Sequence, residues 1–267
     1  MKFLLFIIHS FFFYIEIYGI LEYIKVFNTM GVYGHYDIIT LLTFLTFWSQ
    51  LILAFFYSVS ILVDLIDLTK LFDKTSDSYY SIVKQRDLFF RAIVFPIGFS
   101  LTVIFWTLYA YDRELIFPSF LDTFFPKYLN LIQHALPGFL VLFEILIVNH
   151  QFHLQRNLIE NNNTYKKNLK AKISSSSIEY TPITSNVKQD KTNFLFFVFF
   201  YLSILVYTRC HKGFWLYPIL EVIPMHFKIL FIFIACGFGL LAYKVGGDIN
   251  QSRWGGRFVF TISDSIK

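Results

Sequence analysis

Charged residues are scarce in this sequence. Aspartate, glutamate, lysine and arginine together make up 15% of its 267 residues, whereas hydrophobic residues make up 56% and aromatic residues 21%. A single soluble domain of this length needs many more polar side chains to cover its surface, so the composition excludes that class of protein. It predicts an integral membrane protein.

Cysteine is scarce as well. The two cysteines, Cys210 and Cys236, lie in or beside apolar segments. Such a pair provides no disulfide framework, so the fold has to be held together by packing and hydrogen bonds. We expect neither a cofactor nor a metal ion.

Long apolar runs are what the sequence has in abundance. Six of them cover about residues 3–24, 38–63, 88–111, 128–149, 193–210 and 226–245. Because a helix needs roughly 20 apolar residues to cross about 30 Å of hydrocarbon, each run is interpreted as one span. The sequence therefore predicts an all-α fold, a polytopic membrane protein built as a six-transmembrane-helix bundle. We expect residues 1–254 to form this membrane domain, with a disordered cytoplasmic loop at 155–192, and residues 255–267 to form a cytoplasmic tail.

The formal charge of the chain is +5, and the positions of its basic residues decide what this charge indicates. If there are six spans, most lysines and arginines outside them fall on the side that carries both termini and the second and fourth loops. The positive-inside rule makes this side cytoplasmic. The charge thus indicates a topology and not a nucleic-acid partner. The sequence leaves open whether the membrane is an endomembrane or the plasma membrane, and it does not predict an oligomeric state.

Several uncharged polar residues lie inside the apolar runs, where each is costly unless it faces protein or a cavity. In the second run, Thr43, Thr46 and Gln50 recur at spacings of three and four, which places them on one helical stripe. In the fourth run, Asn130 and His134 share a face. These two polar faces are expected to point toward other protein.

Charged residues also lie in the runs. His9 and Glu16 are seven residues apart in the first run and therefore share a face, which we interpret as polarity for helix packing. Arg91, near the start of the third run, either extends to the cytoplasmic surface or pairs with Glu144 in the fourth. We favour the first alternative for Arg91.

Depth in the membrane connects Thr46 with His134. Both runs begin on the non-cytoplasmic side, and at 1.5 Å per residue both side chains lie roughly 9–12 Å below that interface. A hydroxyl and an imidazole in one layer are parts of an acyl-transfer site, in which the histidine accepts the threonine proton during attack on an ester carbonyl. The spacing also allows Thr46 to bond back to the carbonyl of Leu42 while His134 makes an ordinary polar contact.

Short motifs carry a resemblance to a known family. They include FLTFW at 44–48, YAYDRE at 109–114 and GFWLYPILE at 213–221. With these motifs the chain resembles the androgen-induced gene 1 protein family over about residues 36–154 and 194–254. The resemblance implies a six-span membrane threonine hydrolase that cleaves fatty acid esters of hydroxy fatty acids. It places the family's threonine and histidine at Thr46 and His134, with Thr43 as the second choice for the threonine.

The sequence therefore supports two hypotheses. In the first, an intramembrane lipid-ester hydrolase uses Thr46 as nucleophile and His134 as base, and Glu16 is a candidate from depth alone for orienting the histidine. In the second, a transporter or lipid-binding membrane protein uses the same polar layer to hold a solute. Both need Thr46 and His134 to meet in a pocket walled by phenylalanine and leucine side chains.

Overall fold

A computed structural model describes residues 2–32, 38–71, 76–150 and 187–254, and within these ranges all regular secondary structure is helical. The helices are α1 Lys2–Val32, α2 Ile38–Leu41, α3 Leu45–Thr69, α4 Asp77–Phe89, α5 Phe95–Asp112, α6 Lys127–His134, α7 Leu136–Ile147, α8 Val187–Lys212, α9 Pro218–Val222 and α10 Met225–Trp254. A π-helical turn, Phe90–Val94, joins α4 to α5, and two short 3-10 turns, Arg113–Leu115 and Ser119–Thr123, follow α5.

The helices confirm the all-α polytopic fold. Within the described ranges, five helices are long and apolar enough to cross a membrane, and the pair α6 and α7 makes a sixth span if it is counted as one helix bent by 44°. Most of the predicted loop and all of the tail at 255–267 lie outside the described residues. The last part of the predicted loop, residues 187–192, is helical and begins α8.

Contacts between α1 and two other helices mark the two ends of the bundle. At the lower end, Lys2 at the start of α1 pairs with Asp67 near the end of α3, with 3.6 Å between Nζ and Oδ2. At the upper end, Glu22 of α1 accepts a hydrogen bond from the Tyr128 hydroxyl at the start of α6. Helix α1 therefore runs upward and α3 runs downward, and α6 begins at the upper end. Thr46, at the start of α3, and His134, on α6, both lie in the upper half of the bundle.

The second apolar run is not one continuous helix. Helix α2 ends at Leu41, and the chain makes a turn in which the Thr43 amide donates to the Thr40 carbonyl at 3.0 Å. Helix α3 begins at Leu45, whose amide donates to the hydroxyls of Tyr201 and Tyr217. Two tyrosines from other parts of the chain thus fix the start of α3.

The third run continues as a helix through its proline, Pro96, but the hydrogen-bond pattern changes just before it. Pro96 has no amide hydrogen and cannot donate to the carbonyl four residues earlier. The preceding turn is π-helical, with the Phe95 amide bonded to the Phe90 carbonyl. The helix accommodates its proline by widening one turn.

A chain of buried ionisable side chains ties the lower half of the bundle together. His9 of α1 bonds to Asp64 at 2.6 Å and to Glu144 at 3.1 Å. Glu144 also contacts His150 at 3.1 Å, and the other ring nitrogen of His150 lies 3.0 Å from Asp87. All five side chains are buried, so each histidine bridges two acidic groups inside the bundle, and Asp87 also pairs with Arg86 at 2.8 Å.

Arg91 does not follow either sequence alternative. Its side chain is buried and forms an ion pair with Asp190, with 3.0 Å between Nε and Oδ2, and its Nη1 donates to the His150 carbonyl at 2.9 Å. Asp190 falls in the segment that the sequence assigned to the polar loop. Because that segment is the first turn of α8, its carboxylate is carried into the bundle, where it pairs with Arg91.

Candidate active site

Thr46 and His134 meet in the upper half of the bundle. Thr46 lies in the first turn of α3 and His134 is the last residue of α6, and their Oγ1 and Nε2 atoms are 3.3 Å apart. Both side chains are buried, with 5% and 7% of their surface exposed. The proximity expected from their depth is therefore observed, while the catalytic roles of the two residues stay a prediction.

Asn130 orients the imidazole of His134. The Nδ1 atom faces the Asn130 side-chain oxygen at 2.6 Å and the Asn130 carbonyl oxygen at 3.1 Å. Because both Asn130 oxygens accept hydrogen bonds, we place the imidazole proton on Nδ1. Nε2 is then free to accept the threonine proton. Glu16 does not fill this role, since its carboxylate has no hydrogen-bond partner among the described residues.

The bend between α6 and α7 holds His134 in place from the other side. Pro137 interrupts the helical hydrogen bonds at this point. Two backbone groups at the bend, the Gly138 amide and the His134 carbonyl, bond instead to side chains of α5. The Gly138 amide donates to Thr102 Oγ1 at 2.9 Å, and the His134 carbonyl accepts from Trp106 Nε1 at 3.2 Å. The Phe105 ring stacks on the imidazole with 3.6 Å between centroids.

The geometry favours Thr46 over Thr43 as the partner of His134. The Thr43 hydroxyl donates to the Thr40 carbonyl at 2.6 Å, inside the turn that precedes α3. The Leu42 carbonyl, to which Thr46 was able to bond back, instead accepts from Trp48 Nε1 at 2.7 Å. Thr46 Oγ1 is thus left facing the imidazole.

Sequence reasoning missed Tyr201 and Tyr217 as parts of the site. Their hydroxyls are 2.8 Å apart, and Tyr201 donates to the Thr43 carbonyl at 3.1 Å. They come from α8 and from the aromatic segment before α9, so only the folded chain brings them to Leu45. For Tyr217 the available signal is the aromatic composition of residues 213–221, since an apolar segment too short to cross the bilayer packs at the interface or against the bundle.

An apolar cavity of about 230 Å³ opens onto the Thr46 and His134 pair. Its wall includes phenylalanine and leucine side chains from four parts of the chain, among them Phe27, Leu101, Phe105, Phe117, Phe197 and Leu202. Among the described residues, no charged side chain lines it. Gln133 also lines the cavity, is fully buried, and has no described hydrogen-bond partner for either amide atom. Such a cavity suits the hydrocarbon part of a lipid and has a few polar groups at one level.

Comparisons with known proteins agree with the sequence resemblance. The family model described as "FAR-17a/AIG1-like protein" matches residues 40–159 and 180–251. The androgen-dependent TFPI-regulating protein of Mesocricetus auratus is 26% identical over 212 residues, which cover 79% of this chain and 76% of that protein. The androgen-induced gene 1 protein of Homo sapiens is 33% identical over 112 residues, or 41% of this chain and 47% of that protein. No solved structure matches the chain. On the extent of the family match, this chain belongs to the FAR-17a/AIG1-like protein family.

Proposed function

We propose that this protein is an intramembrane lipid-ester hydrolase that cleaves fatty acid esters of hydroxy fatty acids. The observation that carries the proposal is the aligned set of Thr46, His134 and Asn130. The nucleophile hydroxyl is 3.3 Å from the imidazole nitrogen, and the opposite ring nitrogen is held at 2.6 Å by Asn130. A nucleophile, a base and a group that orients the base are the parts that acyl transfer requires.

The reaction follows from the protonation state of His134. Nε2 accepts the Thr46 proton while Oγ1 attacks the ester carbonyl and forms a tetrahedral intermediate. The carbon–oxygen bond to the hydroxy fatty acid then breaks, and Nε2 returns the proton to the departing alcohol oxygen. Water activated by the same nitrogen attacks the acyl-threonine, which releases the fatty acid and restores the Thr46 hydroxyl.

Gln133 is the candidate donor for the developing oxyanion. Its side-chain amide is buried, lines the same cavity as Thr46 and His134, and has no described partner. Burying an amide without a hydrogen bond costs a few kcal/mol of free energy. A hydrogen bond from this amide to a ligand oxygen therefore stabilises the complex more than the same bond does in water. The amide would therefore stabilise the negative charge that develops on the carbonyl oxygen.

A fluorophosphonate probe and a fatty acid ester of a hydroxy fatty acid test the proposal on purified protein. We expect labelling and hydrolysis in the wild type, and loss of both in Thr46→Ala and in His134→Ala. Thr43→Ala is the matched control, because the Thr43 hydroxyl donates to the Thr40 carbonyl and does not face His134. This variant should keep most of the activity. If Thr46→Ala binds and hydrolyses the ester as well as the wild type, the threonine is not the nucleophile. Binding of the ester without hydrolysis or labelling in any form of the protein would favour the lipid-binding or transport alternative.

The bilayer orientation belongs to the same proposal. We propose that the lower end of the bundle, with both termini, faces the cytoplasm, because the basic residues outside the spans concentrate there. The ester then reaches the site from the outer half of the bilayer. A tag at each terminus should be accessible to antibody after selective permeabilisation of the plasma membrane, in whichever membrane the protein resides. A tag that needs full permeabilisation would reverse the orientation.

A further inference from the structure

The cavity extends well below the proposed catalytic pair. On α5, residues from Leu108 near the upper end to Pro96 near the lower end contribute to its wall. Phe105 marks the level of the reaction, since its ring stacks on His134. Pro96 lies nine residues lower, which corresponds to about 14 Å along a helix. We call this part of the cavity, between Phe105 and Pro96, the lower arm.

Three helices close the lower arm at one level. The lowest lining residues are Pro96 on α5, Phe194 on α8 and Gly239 on α10. Phe194 is 2% exposed, and its ring fills the space that a side chain at position 239 would take. A Cβ atom added to Gly239 would lie 2.3 Å from the Phe194 Cζ atom. The ring of Phe194, seated on Gly239, thus forms the floor of the arm.

Buried polar groups lie about one helical turn below this floor, on α8, on α10 and on the π-helical turn that precedes α5. Arg91 pairs with Asp190 at 3.0 Å, and the Tyr243 hydroxyl donates to Asp190 at 2.9 Å. These side chains satisfy one another and fix α8 against the base of α5 and α10. A hydrocarbon chain that passed the floor would have to displace such hydrogen bonds, which is costly in an apolar interior.

We propose that the lower arm holds the acyl chain that is transferred to Thr46, and that Phe194 sets the maximum length of this chain. The inference rests on the proposed function. The two halves of the ester differ in charge, because the hydroxy fatty acid carries a carboxylate and the transferred acyl group carries none. No charged side chain among the described residues lines the lower arm, so the uncharged half belongs there. The carboxylate belongs at the upper end. There the Arg113 guanidinium, which also pairs with Asp122, has its Cζ atom 5.8 Å from the ring centroid of the lining residue Phe117.

The two cysteines of the chain give a binding test that needs no catalysis. Cys236 lines the cavity one turn from Gly239, whereas Cys210 is exposed. In the variant Thr46→Ala with Cys210→Ser, N-ethylmaleimide should modify Cys236, and bound ester should slow this modification. A series of esters that differ only in the length of a saturated acyl chain should protect up to a limiting length and lose protection beyond it.

Shortening the side chain at position 194 should move that limit. With Phe194→Ala, esters just beyond the wild-type limit should protect, and with Thr46 intact their kcat/KM should rise about tenfold, because the enlarged arm buries about two more methylenes. Phe196→Ala is the matched control, since Phe196 is on the same helix but 75% exposed, and it should leave the limit unchanged. If Phe194→Ala unfolds, Phe194→Leu tests the same limit with a smaller change in volume.

The outcomes separate this inference from the proposed function. An unchanged limit in both Phe194 variants, with protection by shorter esters retained, would overturn the role of Phe194 while hydrolysis stands. A lack of protection by every ester would overturn the assignment of the lower arm to the acyl chain. Protection with a length limit that Phe194 controls, but no hydrolysis by any variant, would leave the arm established and refute the hydrolase proposal.

Discussion

The side-chain oxygen of Asn130 lies 2.6 Å from Nδ1 of His134, one helical turn further along α6. The spacing of four residues places both side chains on one face, and the turn itself supplies the Asn130 carbonyl as a second acceptor. A short, rigid segment therefore determines which nitrogen of the imidazole faces Thr46. In the proposed hydrolase, this local geometry would take the place of the acidic residue that orients the histidine in many hydrolases.

Asn130→Ala should lower kcat/KM for ester hydrolysis about tenfold, because a hydrogen bond to a group that becomes charged contributes about 1.5 kcal/mol or more. The remaining Asn130 carbonyl contact should prevent a complete loss. Leu131→Ala is the control, since Leu131 is the next residue on α6 and is 52% exposed. Equal rates for Asn130→Ala and Leu131→Ala would show that the imidazole does not depend on this contact.

His9→Ala should destabilise the folded protein by about 3–5 kcal/mol, because it leaves two buried carboxylates without their shared partner. Those carboxylates belong to Asp64 and Glu144, which His9 contacts at 2.6 and 3.1 Å. Thermal unfolding in detergent measures the effect. Phe11→Ala, two residues away on the same helix and 57% exposed, should change the unfolding temperature little. A similar shift in both variants would mean that the ionic contacts contribute nothing beyond packing.

Gly138→Ala should destabilise the protein by about 1–3 kcal/mol and reduce hydrolysis, since overpacking at this bend displaces His134. A Cβ atom at position 138 would lie 2.8 Å from Thr102 Cβ and Oγ1, at the hydrogen bond that secures the bend. Gly237→Ala is the matched control, because a Cβ atom there meets no heavy atom within 4 Å. That control should leave stability unchanged or raise it slightly, since alanine favours a helix over glycine. A Gly138→Ala protein as stable and active as this control would contradict the close packing at the bend.

Tyr201→Phe should cost about 1–3 kcal/mol of stability and lower the rate of hydrolysis, because it removes the donor to the buried Thr43 carbonyl and one acceptor of the Leu45 amide. Both groups belong to the turn that presents Thr46 to His134. Tyr207→Phe, on the same helix and 60% exposed, serves as the control. Unfolding temperature and initial rate are measured together. A loss of stability with an unchanged rate would show that the start of α3 does not need this hydroxyl to position Thr46.

The sequence by itself determined the class of the fold and the level of the candidate site. Apolar runs long enough to span a bilayer predict helices whatever their neighbours are, because every backbone group in hydrocarbon must find a partner within its own segment. Helical spacing placed Asn130 and His134 on one face, and counting residues from the interface placed Thr46 and His134 at one depth. These are properties of a helix of known rise, so they can be read one segment at a time.

Only the tertiary structure determined which polar side chains bond to one another. Arg91 pairs with Asp190, 99 residues later, and Tyr201 and Tyr217 converge on Leu45. Hydropathy indicates how apolar a segment is. It does not indicate where the helical hydrogen bonds are interrupted, or which side chains bond to the backbone groups left unpaired there. The interruption before Leu45 and the bend at Ala135 are stable because other helices supply the missing donors and acceptors. Such compensation depends on residues distant in sequence, so only the packed bundle determines it.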